Sequence, residues 1–191
     1  MKKNIVLVTG ATLAASTGLA LAGSVTQNLD GIHSWESLGD ALNHQLTFNI
    51  GAGSHVVGVS WVDVEGEGLD AAGNPGGPSW GNEMSMAIGH TGDPAAWDMK
   101  FFPAEGSASA GGPWGPISGA ADLLGDGDDF VVGGDGVLTM EFFESYNDHT
   151  AGADAHYIGG SVVVEYNAIP APGALALLGL AGIAGTRRRR A

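Results

Sequence analysis

The chain is expected to fold as an all-β protein, an antiparallel β-sandwich or jelly roll, between two terminal segments of different character. Three observations carry that expectation. Short apolar runs alternate with period two, which buries one face of a strand and wets the other. No window sustains apolar residues at helical spacing. Glycine, 33 in all and 27 of them between residues 23 and 168, separates the runs with turn chemistry.

The elements follow in chain order. Residues 1–22 read as a secretory signal peptide. Lys2 and Lys3 form the positive start, an apolar stretch opens at Ile5-Val6-Leu7-Val8, and Ala20-Leu21-Ala22 supplies the small-residue exit. Cleavage is expected between Ala22 and Gly23. The β-sandwich body then occupies residues 23–168, long enough to bury a core without metals or disulfides. Its strand-like runs are 44–50, 55–65, 83–89, 97–102, 129–132, 136–145 and 155–167. Leu46, Phe48 and Ile50 share one face, as do Met84, Met86 and Ile88. The same holds for Leu138, Met140 and Phe142, and for Val162, Val164 and Tyr166. Three connections are long: 66–82, 104–121 and 147–154. Loops of that length usually serve a function or lack fixed structure. No internal repeat of fixed period points to a solenoid or propeller.

Residues 169–191 form the last segment. Ile169-Pro170-Ala171-Pro172 precedes an apolar Ala/Leu/Gly run, 173–186, and then Arg187, Arg188, Arg189 and Arg190. As a helix those 14 apolar residues would span about 21 Å, short of the ~30 Å hydrocarbon core, so they make a marginal anchor. The positive-inside rule keeps the arginines, like Lys2 and Lys3, on the cytoplasmic side. The body is then expected outside.

The charge is partitioned in the same way. The chain has 7 Lys and Arg, 21 Asp and Glu, and a net charge of -14. Six of the seven basic residues lie at the two ends, and Lys100 is the single one between them. All 21 acids fall between Asp30 and Glu165, so the central body carries about twenty negative charges net. Such a surface repels phosphate backbones and anionic membrane faces. The absence of cysteine removes disulfide scaffolds, Cys-ligated zinc and thiol nucleophiles.

A proline motif, an apolar helix and a terminal arginine cluster together resemble the PEP-CTERM sorting signal of exported Gram-negative bacterial proteins. The motif here is Pro170-Ala171-Pro172 in place of the usual Pro-Glu-Pro. The resemblance implies an exosortase, a membrane cysteine protease, as a transient partner that cuts the tail. It also implies delivery of the body to the cell envelope, the outer surface or the exopolysaccharide matrix. Within the body, Trp35, Leu46 to Gly53, Val57 to Trp61 and Gly136 to Ser145 are similar to jelly-roll bodies found upstream of such tails. They are also similar, more distantly, to the P-domain of proprotein convertases. That second resemblance implies a fold and carries no catalytic residues.

Candidate sites are few. Asp126, Asp128, Asp129 and Asp135 form the densest acidic cluster, and a hard cation such as Ca²⁺ would relieve their repulsion. Asp and Gly are equally the commonest turn residues, so hairpin punctuation explains the same run. Asp148-His149 and Asp154-Ala155-His156 bracket a loop with nitrogen and oxygen donors, without a recognised ligand spacing. Trp80 and Trp114 sit in Pro/Gly-rich loops, where an exposed indole stacks on a sugar or folds back onto the sandwich. No nucleophile elbow, P-loop or dinucleotide fingerprint occurs. With one lysine and no arginine in the body, cationic oxyanion or phosphate clamps are missing. A non-catalytic surface or matrix protein is the expectation, with a carbohydrate-binding module, possible with Ca²⁺, as the alternative.

Overall fold

Two antiparallel sheets, packed face to face, organise the chain in a computed structural model that describes residues 21–90, 97–104, 111–148 and 152–169. The described residues lie within one compact unit, Ala20–Ile169. Ala20, the expected sorting motif Pro170-Ala171-Pro172, the apolar run 173–186 and Arg187–Arg190 lie outside the described residues. Among the described residues no helix is long and apolar enough to cross a membrane.

The strands are β1 (Leu21–Asn28), β2 (His33–Ser34), β3 (His44–Asn49), β4 (His55–Gly68) and β5 (Met84–Gly89). They continue as β6 (Met99–Phe101), β7 (Trp114–Ala121), β8 (Phe130–Val131), β9 (Val137–Glu144) and β10 (Ala155–Ala168). One helical turn, α1 (Leu123–Asp126), follows β7. The larger sheet runs β1-β10-β4-β7, with β2 added to β10 and β8 to β4. The smaller runs β3-β9-β5-β6. Long strands β4 and β10 form the spine, paired from Ala155↔Gly68 to Asn167↔His55 with three irregularities in register.

Alternation builds the core as the sequence predicts. Val162 and Val164 of β10, with Val59 and Val64 of β4, face inward from the larger sheet. Met84, Met86 and Ile88 of β5 and Leu138, Met140 and Phe142 of β9 meet them from the smaller. Tyr157 stands between the two sets, its ring edge-on to Phe142 at 5.7 Å and to Trp114 at 6.2 Å. The second face of the smaller sheet departs from expectation. Ser85, Ala87, Thr139, Glu141 and Phe143 point away from the sandwich core yet are also buried. Part of the cover is segment 36–43, which reaches over β9 and hydrogen-bonds to Glu141.

Three strands stand where the sequence predicts none: the short β2, β7 and β1. β7 occupies the last eight residues of the expected 104–121 loop despite the composition Trp-Gly-Pro-Ile-Ser-Gly-Ala-Ala. Pro116 is tolerated because β7 is the edge of its sheet, where a missing N–H breaks no ladder. β1 begins at Leu21, two residues inside the predicted signal peptide, and pairs in unbroken register with β10 from Leu21↔Ala168 to Asn28↔Ser161.

Candidate functional site

The four aspartates of the acidic run serve separate local tasks. The carboxylate of Asp122 caps α1 by accepting the Gly125 N–H at 2.9 Å. Asp126 ends that turn, and Gly127, at φ 83°, closes it with its N–H on Leu123 O. The Asp128 N–H donates to Leu123 O at 2.9 Å. Asp129 pairs instead with the His55 imidazole, across the β4–β8 ladder. Asp135 Oδ1 accepts the Val137 N–H at 3.1 Å. Among the described residues, no group of three or more His, Asp or Glu side chains is arranged to hold a metal ion as it stands. The Asp129 and Asp135 carboxylates are engaged by His55 and by the Val137 N–H, and the expected Ca²⁺ quartet of Asp126, Asp128, Asp129 and Asp135 is not gathered into a metal-holding group among the described residues.

The second nitrogen–oxygen set is also redistributed. His149 lies outside the described residues. Asp154 is buried and accepts the Asp148 N–H at 2.9 Å. His156 turns to Glu67, with Nε2 3.0 Å from Oε1.

The two loop tryptophans part company. Trp114 is only 4% exposed and donates its indole N–H to Met84 Sδ at 3.2 Å. It offers no face to a sugar, which corrects the expectation for this residue: it starts β7 and fills the core end rather than decorating a loop. Trp80 is 42% exposed, with its backbone N–H held by Glu83 Oε2 at 2.7 Å. The loop that carries Trp80 is firmly built. Asp70 Oδ1 accepts the N–H groups of Ala72 and Asn74 at 2.9 and 2.8 Å. Gly68 O receives both Gly76 and Gly77 N–H groups. A Cβ on Gly77 would stand 1.6 Å from Leu69 O, so backbone passes where no side chain fits.

Two buried glutamates on β9 escape sequence reasoning. Glu141 Oε1 accepts the Gly39 N–H at 2.6 Å and Asn43 Nδ2 at 2.7 Å, while Oε2 accepts Gln45 Nε2 at 2.9 Å. Glu144 accepts Ser34 Oγ of β2 on one oxygen and Ser79 Oγ, at 3.2 Å, on the other. Burial pushes the Glu144 carboxyl up to about 8; Ser34 opposes the shift, and the nearby Asp154 carboxylate adds to it. The Tyr157 hydroxyl is buried without a hydrogen-bond partner and is driven well above its ordinary value by burial and by Glu144. Ser34 and Ser79 are as buried as the acid they bind. The constellation ties segments together and leaves no opening for a substrate.

The open face of the larger sheet presents the remaining candidate. A shallow groove of about 500 Å³ is lined by Ala22, Gly23 and Ser24 of β1, Val57 of β4, and Glu165 and Asn167 of β10. A smaller hollow of about 180 Å³ adjoins it and shares Val57 and Glu165. The Glu165 side chain lies across Gly58, where a Cβ would stand 3.3 Å from Oε2. Short polar side chains, one exposed carboxylate and bare strand backbone can hydrogen-bond a neutral polyhydroxylated ligand laid along the strands. Ala22 and Gly23, where cleavage is expected from the sequence, line this groove. No family model, curated protein or solved structure matches the chain.

Proposed function

We propose that the chain is an exported, non-catalytic cell-surface or extracellular-matrix protein, sorted through its PEP-CTERM-like tail by an exosortase-type protease. The observation that carries this reading is the segregation of charge: six of seven basic residues flank a body that holds all 21 acids. Cationic ends retained inside and an acidic body passed outward describe one topology. Intact-mass measurement of the exported protein, in cells with and without the sorting protease, tests the reading. Loss of residues 1–22 and of the tail beyond Pro172 is expected, with tail loss confined to protease-containing cells. An exported form that retains the arginine cluster in those cells would defeat it.

Carbohydrate binding to the exopolysaccharide is the second reading, favoured by the groove around Glu165 and by the exposed Trp80. A glycan array with the intact protein separates the two readings, since a purely structural component gives no selective signal. Titration calorimetry with Ca²⁺ on the same protein reads directly whether calcium takes part.

A further inference from the structure

The larger sheet ends in a strand whose outer side is open. β1 stands first in the order β1-β10-β4-β7, and among the described residues its strand partner is β10 alone. Leu29 donates its N–H to Gly160 O at 3.0 Å. Backbone groups alternate in direction along an antiparallel strand, so Gln27, Val25 and Gly23 also turn theirs to β10. Those of Ser24, Thr26 and Asn28 point outward. The Asn28 carbonyl bears this out, since it accepts the side chain of Gln27 beside it. Among the described residues, no group accepts the N–H of Ser24, Thr26 or Asn28. We propose that the outer edge of β1 pairs with the same edge of a second copy of this chain, joining two larger sheets into one.

Sheet edges are ordinarily blunted by proline, charge, shortness or a bulge. β7, the opposite edge of this sheet, carries Pro116 and meets β4 with two breaks in register. β6 is three residues long and centres on Lys100. β3 is open but has six residues. β1 has eight, with no proline and no charge, and its register with β10 is unbroken.

Charge and symmetry select the occupant. Two copies of so acidic a body repel one another unless an uncharged surface leads, and residues 21–29 carry no charge. A basic partner would be drawn to the acids, none of which lies on this strand. A two-fold axis at Thr26 sets Thr26 against itself and Ser24 against Asn28 of the second copy, a self-complementary contact. Each of these residues then exchanges its N–H and C=O with its opposite number. The Asn28 carbonyl keeps a lone pair for this beside its bond to Gln27. Glu165 of β10 is the acid nearest the seam on the open face, opposite Ser24. The two copies of Glu165 stand at least three strand spacings apart, about 14 Å, beyond the screening length of ~8 Å at physiological ionic strength. The pairing uses no residue before Gly23, so it is open to the chain with or without residues 1–22. Each copy spends its one β1, and assembly closes at two.

Pairing along one edge buries little beside the roughly 1,200 Å² of a stable complex, so the dimer is weak and is read at high concentration. Amide hydrogen exchange of the full chain, followed by NMR at about 10 µM and about 1 mM, spans the range of such affinities. The Ser24, Thr26 and Asn28 amides should gain protection at the higher concentration, whereas Val25 and Gln27, bonded to β10, should be protected at both. Sedimentation should show a shift from one copy to two and no further. Thr26→Pro removes the outward donor at the axis and should weaken the dimer about tenfold or more. Thr47→Pro, on the open edge β3, should dimerise as the parent does. Melting curves verify that both variants fold; where one does not, the exchange pattern of the unaltered chain decides. One copy at every concentration, a dimer indifferent to Thr26→Pro, or association that leaves Ser24, Thr26 and Asn28 unprotected would overturn the proposal.

Discussion

Gly66 of β4 and Trp114 of β7 are register partners, and the indole lies flat against the glycine that faces it. A Cβ on Gly66 would stand 2.7 Å from Trp114 Cζ2. The same relation occurs twice more in this sheet. Gly119 faces Trp61, with a would-be Cβ 2.4 Å from the ring, and Gly23 faces Tyr166 at 2.7 Å. In each pair an aromatic ring covers backbone that a bare strand glycine would leave to water. Gly66→Ala is expected to cost about 1–3 kcal/mol through overpacking, and Trp114→Ala about 3–5 kcal/mol. The double variant should lose less than the sum, because the alanine then has room. Urea unfolding of the four proteins measures the coupling; strict additivity would contradict the stacked geometry.

Glu144 makes stability depend on pH. Its folded carboxyl is raised to about 8 from an ordinary 4.5, so the native state holds a proton that the unfolded chain has released between those values. Stability from this group is fully present below pH 4.5 and is lost as pH rises through 8. The loss is on the order of a few kcal/mol. Glu144→Gln removes this dependence. Melting temperatures from pH 4.5 to 9 should fall more steeply for the parent than for the variant, and parallel curves would show that Glu144 is ionised in the fold.

Glu141 fastens segment 36–43 to the outer face of β9. Glu141→Ala strands three donors at once and is expected to cost about 3 kcal/mol or more. Hydrogen exchange should accelerate first at the Gly39 amide, whose acceptor is lost, while the amides of the β4–β10 ladder stay protected. Uniform acceleration would mean that the segment does not open on its own.

Trp80 and Trp114 should separate cleanly on substitution. Trp80→Ala is expected to change stability by about 1 kcal/mol or less, in contrast to Trp114→Ala. If the exopolysaccharide is bound through exposed rings, affinity falls with Trp80→Ala. Glu165→Gln at the groove, without change in melting temperature, reports the contribution of the sheet face independently.

The fold class was legible because it depends on local alternation. Met84-x-Met86-x-Ile88 and Leu138-x-Met140-x-Phe142 declare their faces in any antiparallel setting, and the structure places them together in the core. The same logic failed on β7, where Gly115, Pro116 and Gly119 read as loop. The compensation for Gly119 is Trp61, 58 residues away in sequence, and only strand pairing reveals it. Glu141 and Glu144 were invisible for a related reason. A carboxylate reads as solvated, whether on the wet face as Glu141 is or at the end of the inward row as Glu144 is, until Gly39, Asn43 and Ser34 arrive from distant segments to bury it. The aspartates near 126–135 were conspicuous because they are close in sequence, yet Asp129 pairs with His55 and Asp135 with the Val137 N–H. His33, His156 and Glu67 show the converse, since their adjacency is created entirely by register.

The early start of β1 constrains when the proposed leader could be removed. The Ala22–Gly23 bond lies inside a strand whose residues are hydrogen-bonded to β10 as far as Leu21↔Ala168. A peptidase must grip its substrate as an extended, unpaired segment, and β10 is the last strand of the body to be synthesised. If the chain is exported and cut before Gly23 as proposed, cleavage has a window while the chain is still emerging, before β10 is available to claim β1. Once that pairing forms, the bond is protected until the end of the strand peels away. Delayed cutting would yield a folded body with its leader zipped into the sheet, and timed pulse-chase of the two forms would reveal it.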